Sequence, residues 1–246
     1  MSEPLVLIPG LQSDISSWLP LIKRLGHHFA LTVPRGQQFA PSISAMAEQV
    51  IEQSPNRFHL VGWSMGGYIA FEILRQAPEK LASLTLIATT AAPESLDSRE
   101  RRRLALDLAR DEGLRGYQTA NLQNCLFAPE EFERESFEHL LKASETLGLT
   151  ALEAQINAIM DRPDSMPDLR TCNCPVLIIA GRNDNIIPVE HSRRMKAAHP
   201  ASTFHEIADC GHCPPMEKPD YVSGLIVDWL SSDLFDHSTD RLTGNS

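Results

Sequence analysis

The chain has 246 residues, 42% of them hydrophobic and 22% charged, with a formal net charge of -10; this suffices for one large α/β domain, or for such a domain carrying an insertion. The negative balance argues against a nucleic-acid partner, which demands a basic patch, and against an anionic membrane surface, and it disfavours steering of strongly anionic substrates. Met1-Ser2-Glu3-Pro4 leads into the short apolar run Leu5 to Ile8 without an export-signal pattern, and no stretch is long enough to span a bilayer.

The cysteines Cys125, Cys172, Cys174, Cys210 and Cys213 form an odd-numbered set and are expected to be reduced thiols of a cytoplasmic protein. Cys172-x-Cys174 and Cys210-x-His212-Cys213 would bind zinc only if the two pairs met in space. Structural zinc pairs usually enclose at least two residues, and Cys172-x-Cys174 precedes an apolar strand, so no metal and no cofactor is expected.

In chain order, Leu5-Val6-Leu7-Ile8 is a continuous apolar run closed by Pro9-Gly10, the pattern of a strand buried on both faces of a parallel sheet. A turn at Leu11-Gln12-Ser13-Asp14 caps a short helix over Ser16 to Leu25, and His28 to Val33 forms a second strand. Helical spacing of Ile43, Met46, Ala47, Val50 and Ile51 follows, bounded by Pro41-Ser42 and Pro55. Phe58 to Val61 is a strand, Met65 to Gln76 a helix stopped near Pro78, and Leu81 to Ala88 another buried strand. Strands alternating with helices imply right-handed crossovers and a doubly wound, mostly parallel sheet.

The rhythm breaks after Ala92. From Pro93 to Asp168 only helical patterns occur, so residues 93–168 are expected to be an all-helical insertion, either a packed flank or a lid over the carboxyl edge of the sheet, in an α/β core of residues 1–92 and 169–246. Arg99, Arg101, Arg102 and Arg103 invite an anion-binding reading, but interspersed acids favour a solvated helix face. Strands return at Pro175 to Gly181 and Thr203 to Ile207, separated by a helix over Val189 to Ala198. A last helix carries Val222, Leu225, Ile226, Trp229 and Leu230 on one face, and beyond Ser231 the polar tail, which includes His237, is expected to fray.

Gly62-Trp63-Ser64-Met65-Gly66 reads G-x-S-x-G between a strand and a helix, a turn cramped enough to need glycine on both sides of the serine and to lift its hydroxyl clear of the sheet edge. A serine hydroxyl needs a base, and the base works best when a carboxylate orients it. Loops at the carboxyl ends of parallel strands converge, and three residues lie just past different strands: Ser64, Asp184 and His212. Of the nine histidines only His212 follows a strand in a glycine-marked loop. Asp184 competes with a helix-cap role and with Asp209 as the acid, while Asn183 and Asn185 are candidate orienting amides.

This Ser, Asp, His order, with Gly-Trp-Ser-Met-Gly-Gly, the Leu-Ile-Ala-Gly-Arg-Asn-Asp pattern ending at Asp184, and Gly211-His212 before Pro214 and Glu217, resembles the lid-bearing α/β-hydrolases over almost the whole chain, in particular short bacterial carboxylesterases and methyl-ester hydrolases. The resemblance implies Ser64 as nucleophile, His212 as base then acid, and Asp184 as its orienter. It also implies an oxyanion hole from the backbone N–H groups of Met65 and Leu11, although Pro9-Gly10-Leu11 stands where the family usually has His-Gly-x. Gln12 is a candidate to replace the supporting hydrogen bond of the absent histidine, but is expected to face solvent. Trp63, with Leu11, Met65, Ile186 and Ile187, either lines an apolar approach to the site or belongs to the core. Serine in place of the aspartate of dehalogenases and epoxide hydrolases points to an acyl-enzyme on a small or medium carboxylic ester. The alternatives are a carbon-carbon bond hydrolase or lyase of the same fold and a hydrolase-like binding protein without turnover.

Overall fold

The computed structural model describes residues 3–232. Six strands, β1 (Leu5–Ile8), β2 (Leu31–Thr32), β3 (Phe58–Trp63), β4 (Leu81–Ile87), β5 (Val176–Gly181) and β6 (Thr203–Ile207), form one sheet in the order β2-β1-β3-β4-β5-β6. Every adjacent pair is parallel. The order reverses at β1: β2 lies on one side of it and β3 on the other. At such a switch point the loops leaving two neighbouring strands diverge to opposite faces and open a crevice at their carboxyl ends. The loops that leave β1 and β3 carry Leu11 and Ser64.

The apolar runs are continuous because both faces of the sheet are covered. Val6, Ile8, Leu60, Leu84, Leu86 and Ile178 pack with α2 (Ile43–Gln53) and α3 (Met65–Gln76). Their sequence neighbours Leu5, Leu7, Val61, Ile87, Leu177 and Ile179 pack on the other face with α1 (Leu19–Leu25) and α9 (Pro219–Leu230). Each such side chain withdrawn from water contributes about 1.5–3 kcal/mol, which is the main force holding the two helical layers to the sheet.

The predicted boundaries hold closely where a cap or a proline sets them. Ser42 caps α2, its hydroxyl accepting from the Ala45 amide at 3.1 Å. Three expectations need adjustment. The first predicted helix is split, with a 3-10 turn at Ile15–Trp18, capped by Asp14 accepting from the Ser16 amide at 2.8 Å, leading into α1 with Pro20 in its first turn. The predicted strand from His28 shrinks to two residues, since β2 is an edge strand paired only through Leu31 and Thr32. The loop after β6 closes into the short helix α8 (Pro214–Glu217). The frayed tail expected beyond Ser231 falls almost wholly outside the described residues.

Between β4 and β5 lie α4 (Leu96–Cys125), α5 (Arg134–Met160) and α6 (Met166–Arg170). Both long helices break at a glycine, Gly113 (φ 78°, ψ 161°) and Gly148 (φ 83°, ψ 171°), in a region that side-chain-bearing residues scarcely enter. Leu106, Ala109, Tyr117, Leu152, Ile156 and Met160 pack together between the two helices. The helix α7 (Glu190–Ala198) joins β5 to β6. Among the described residues no helix is long and apolar enough to cross a membrane.

Two of the helical glycines, Gly66 and Gly224, provide a test of the packing. A Cβ at Gly66 would stand 2.2 Å from the Ile8 carbonyl oxygen, whereas at Gly224 it would meet nothing within 4 Å. Gly224→Ala is expected to stabilise the protein by about 0.5–1 kcal/mol through reduced backbone entropy. Gly66→Ala is expected to destabilise it by about 1–3 kcal/mol. Urea unfolding of both variants checks the opposite signs.

Candidate active site

Ser64 sits between β3 and α3 with φ 54° and ψ -117°, a conformation costly for a residue with a side chain. The surroundings hold it there. Its amide donates to the Ile87 carbonyl at 2.9 Å, and its carbonyl accepts from the Gly67 amide at 2.9 Å and from the Thr89 hydroxyl at 2.8 Å. The turn is so tight that a Cβ at Gly62 would lie 2.5 Å from the Gly66 oxygen.

His212 Nε2 lies 2.8 Å from Ser64 Oγ, and His212 Nδ1 lies 2.8 Å from Asp184 Oδ2. Since an ionised carboxylate only accepts, Nδ1 carries the proton and donates it to Asp184, leaving Nε2 free to accept from the serine hydroxyl. The second oxygen, Asp184 Oδ1, accepts from the amides of Ile186 and Ile187, each at 2.8 Å. Both carboxylate oxygens are therefore occupied and the acid has one orientation. Burial disfavours the imidazolium of His212, but the charge and hydrogen bond of Asp184 outweigh it and hold the pKa above its ordinary value.

The competing assignments separate cleanly. Asp184 does not cap α7, whose first residue is Glu190. Asp209 is exposed and makes no bond to His212, and the side chains of Asn183 and Asn185 are exposed too, so the orienting amides are those of the main chain at Ile186 and Ile187. Ile187 is buried and Ile186 exposed, and both line the cavity beside the site.

The loop bearing His212 is fastened from three sides. Trp63 Nε1 donates to the His212 carbonyl at 2.8 Å, so this residue, expected only as apolar lining, also anchors the loop. The His212 amide donates to the Cys125 carbonyl at 2.6 Å, at the end of α4. Glu217 accepts from the amides of Gly211, Cys213 and Phe127 at 3.0, 2.9 and 2.8 Å. A carboxylate gathering three amides from two segments is invisible in sequence, because it depends on which loop folds back over which.

Gln12 corrects an expectation: it is 1% exposed, with φ 51°, rather than facing solvent. Its amide donates to Gln155 Oε1 at 2.8 Å. With the side-chain amide turned so that its oxygen accepts from the Leu152 amide at 2.8 Å, its nitrogen donates to the Ser144 hydroxyl at 3.0 Å. Leu152 is in the first turn after the break at Gly148, where backbone N–H groups lack helical acceptors; Gln12 supplies one. The chain that would bear the Leu11 donor is thus tied to α5. Leu11 N–H has no protein acceptor among the described residues, Met65 is the first residue of α3, and both residues line the cavity with Ser64.

That cavity has a volume of about 580 Å³. Its apolar floor includes Leu11, Met65, Ile156, Ile159 and Ile187, and α4 contributes Arg101, Arg102 and Tyr117. The arginine run therefore divides. Arg99 and Arg103 pair at 3.3 Å with Asp161 and Glu100 in the solvated manner expected, whereas Arg102 turns inward to Glu94 at 2.8 Å. Glu94, with a side chain only 4% exposed, also pairs with Arg162. Burial opposes its charge, but the two arginines outweigh burial and hold its pKa below the usual carboxylate value.

All five cysteines are free thiols. Cys172 and Cys174, with sulfurs 3.4 Å apart, precede β5, while Cys210 and Cys213 follow β6 at the opposite edge of the sheet, so the two pairs do not meet. Among the described residues no group of three or more His, Cys, Asp or Glu is disposed to hold a metal ion.

Comparison with known proteins places this geometry. Residues 5–225 match the model of the alpha/beta hydrolase family. The chain is 27% identical, over 92% of its length, to the dihydrolipoyllysine-residue acetyltransferase component of an acetoin cleaving system from Pseudomonas putida, and spans only 63% of that protein. It is 26% identical to a pimeloyl-[acyl-carrier protein] methyl ester esterase from Yersinia enterocolitica, with 92% of both chains covered. A thermophilic esterase from Thermogutta terrifontis, solved with malate bound, superposes with a TM-score of 0.81 at 28% identity, covering 94% of this chain and 90% of the other. With a family match over nearly all the described residues, on a parallel sheet whose strand ends carry the expected serine turn, the chain belongs to the alpha/beta hydrolase family.

Proposed function

We propose that the protein is a cytoplasmic serine esterase that cleaves a small or medium carboxylic ester through an acyl-enzyme on Ser64. The observation that carries this reading is the aligned pair of 2.8 Å contacts from Ser64 Oγ to His212 and from His212 to Asp184. As Ser64 Oγ attacks the ester carbonyl, His212 Nε2 takes its proton, and the Leu11 and Met65 amides receive the developing oxyanion. Collapse of the tetrahedral intermediate breaks the acyl–oxygen bond, and the imidazolium returns the proton to the departing alcohol. Water then enters, loses a proton to His212 and attacks the acyl-enzyme, and the imidazolium returns that proton to Ser64 Oγ as the acyl–oxygen bond breaks and the acid leaves. No step calls for a metal or cofactor. Residues 93–168 act as a lid over a core of residues 1–92 and 169–246, covering the cavity with α4 and α5. The methyl-ester esterase among its relatives, and the esterase it superposes on, favour ester over carbon-carbon cleavage, and the intact contacts favour turnover over mere binding.

A fluorophosphonate probe is expected to label wild type on Ser64, and p-nitrophenyl acetate and butyrate to be hydrolysed, with Ser64→Ala losing the label and at least about 10⁴-fold in kcat. Absence of both labelling and turnover in wild type would sink the esterase reading. Asp184→Asn is expected to lower kcat by about 10⁴-fold through the wrong imidazole tautomer, with Asp209→Asn close to wild type; the reverse result reassigns the acid.

The base must be neutral, and its pKa is raised, so kcat/KM is expected to increase with pH through a midpoint above 6.5, the ordinary histidine value. A midpoint at or below that value contradicts the pairing with Asp184. Gln12→Ala strips the acceptor from the Leu152 amide and loosens the Leu11 loop. It is expected to cost about 1–3 kcal/mol of stability. It should also lower kcat by about tenfold with KM little changed, less than outright loss of an oxyanion donor. Unchanged kcat would separate this network from the oxyanion site.

A further inference from the structure

Among the described residues, the charged side chains lining the cavity are Arg101, Arg102, Arg162 and Glu94, a surplus of two positive charges in a chain whose formal net charge is -10. These arginines are not equivalent. Arg162 is spent on the protein: one terminal nitrogen donates to Glu94 and to the Ile159 carbonyl at 3.0 Å, the other to the Ala92 carbonyl at 3.1 Å, and its guanidinium lies 4.1 Å over the Tyr68 ring. Arg101 is exposed and donates to Ser98 at 2.6 Å.

Arg102 is different. Its side chain is 22% exposed, and only Nε is engaged, donating to Glu94 at 2.8 Å. Neither terminal nitrogen has a protein acceptor among the described residues. Glu94 is shared with Arg162, so one carboxylate serves two guanidinium groups and leaves one positive charge unmatched. A guanidinium stays charged at any working pH, and such a charge in a partly buried place calls for an anionic partner. Tyr117 stands beside it in the same lining; burial pushes its pKa up to about 12, so its hydroxyl remains a neutral donor. Leu11, Met65, Ile156 and Ile159 give the same cavity, which Ser64 also lines, an aliphatic surface.

We infer that the cavity takes an ester bearing a single carboxylate at the end of an aliphatic spacer, a half-ester of a dicarboxylic acid, with that carboxylate docked on the free terminal nitrogens of Arg102. The inference rests on the esterase reading of Ser64. A planar carboxylate matches the fork of a guanidinium. A doubly charged phosphate fits less well, because Glu94, already bonded to Arg102, repels the second charge. The negative charge of the whole chain bears on the rate of encounter, whereas the charge inside the cavity decides what stays bound.

The test compares monomethyl succinate through monomethyl suberate with the methyl esters of the matching monoacids, following acid release. For the best spacer, wild type is expected to favour the half-ester by about tenfold or more in kcat/KM, the worth of one charge-assisted hydrogen bond. In Arg102→Gln that ratio is expected to fall at least about fivefold, and Arg102→Lys to restore part of it. Calorimetric titration of Ser64→Ala with the same compounds reads affinity without turnover and is expected to show the same preference. A half-ester that binds Ser64→Ala no better than its neutral counterpart, or a ratio unmoved in Arg102→Gln, overturns the inference. If no ester is turned over by wild type but the half-ester still binds Ser64→Ala tenfold more tightly, the esterase reading has failed and the carboxylate subsite stands.

Discussion

The carbonyl oxygen of Ile8 occupies the space where a side chain at position 66 would begin, 2.2 Å from that Cβ. This close approach of the first turn of α3 to the end of β1 forces the reversal between β3 and α3 into so little room that Ser64 takes a positive φ. The strain is not isolated. The side-chain-bearing residues with positive φ among those described are Gln12, Ser64, Ala88 and Asp209, and they follow β1, β3, β4 and β6 on the same edge of the sheet. A parallel sheet brings its strand ends together, and the loops that crowd there are bent hardest where the reacting groups must converge.

The helices between β4 and β5 are bonded to the loops at this edge. Through the Cys125 carbonyl and the Phe127 amide, bonded to His212 and Glu217, the end of α4 helps to shape the histidine loop. Through Ser144, Leu152 and Gln155, α5 grips Gln12 next to the proposed oxyanion donor Leu11. The break at Gly148 makes that grip possible, because a helix restarting after a break has amides to offer that an unbroken one does not. A buried polar network of this kind is held in one arrangement, since leaving any member unsatisfied is costly. Movement of the two helices would therefore be felt at both loops.

Charge is distributed with the same specificity. A chain with an overall excess of acids places three arginines and one glutamate around its cavity. Whole-chain charge describes the surface seen from a distance, whereas a buried cluster acts over a few ångströms in a medium where screening is weak. The helix 96–125 shows both regimes, with Arg99 and Arg103 solvated and Arg102 turned inward within one turn of helix.

The sequence by itself determined the parallel sheet, the helical segment between β4 and β5, the serine turn and the order Ser64, Asp184, His212. These follow from local causes: apolar runs bounded by glycine and proline, helical spacing, and a backbone turn that only certain residues allow. Tertiary structure decided the rest. Asp184 rather than Asp209 meets His212 because β5 and β6 lie side by side and direct their loops toward each other. Gln12 is buried, Trp63 anchors a loop and Glu217 adds the Phe127 amide to two from its own loop, since Gln155, His212 and Phe127 lie far away in the chain from the residues they meet. Which arginine of a run faces a cavity depends on where two broken helices come to rest, and no spacing within the run encodes that contact.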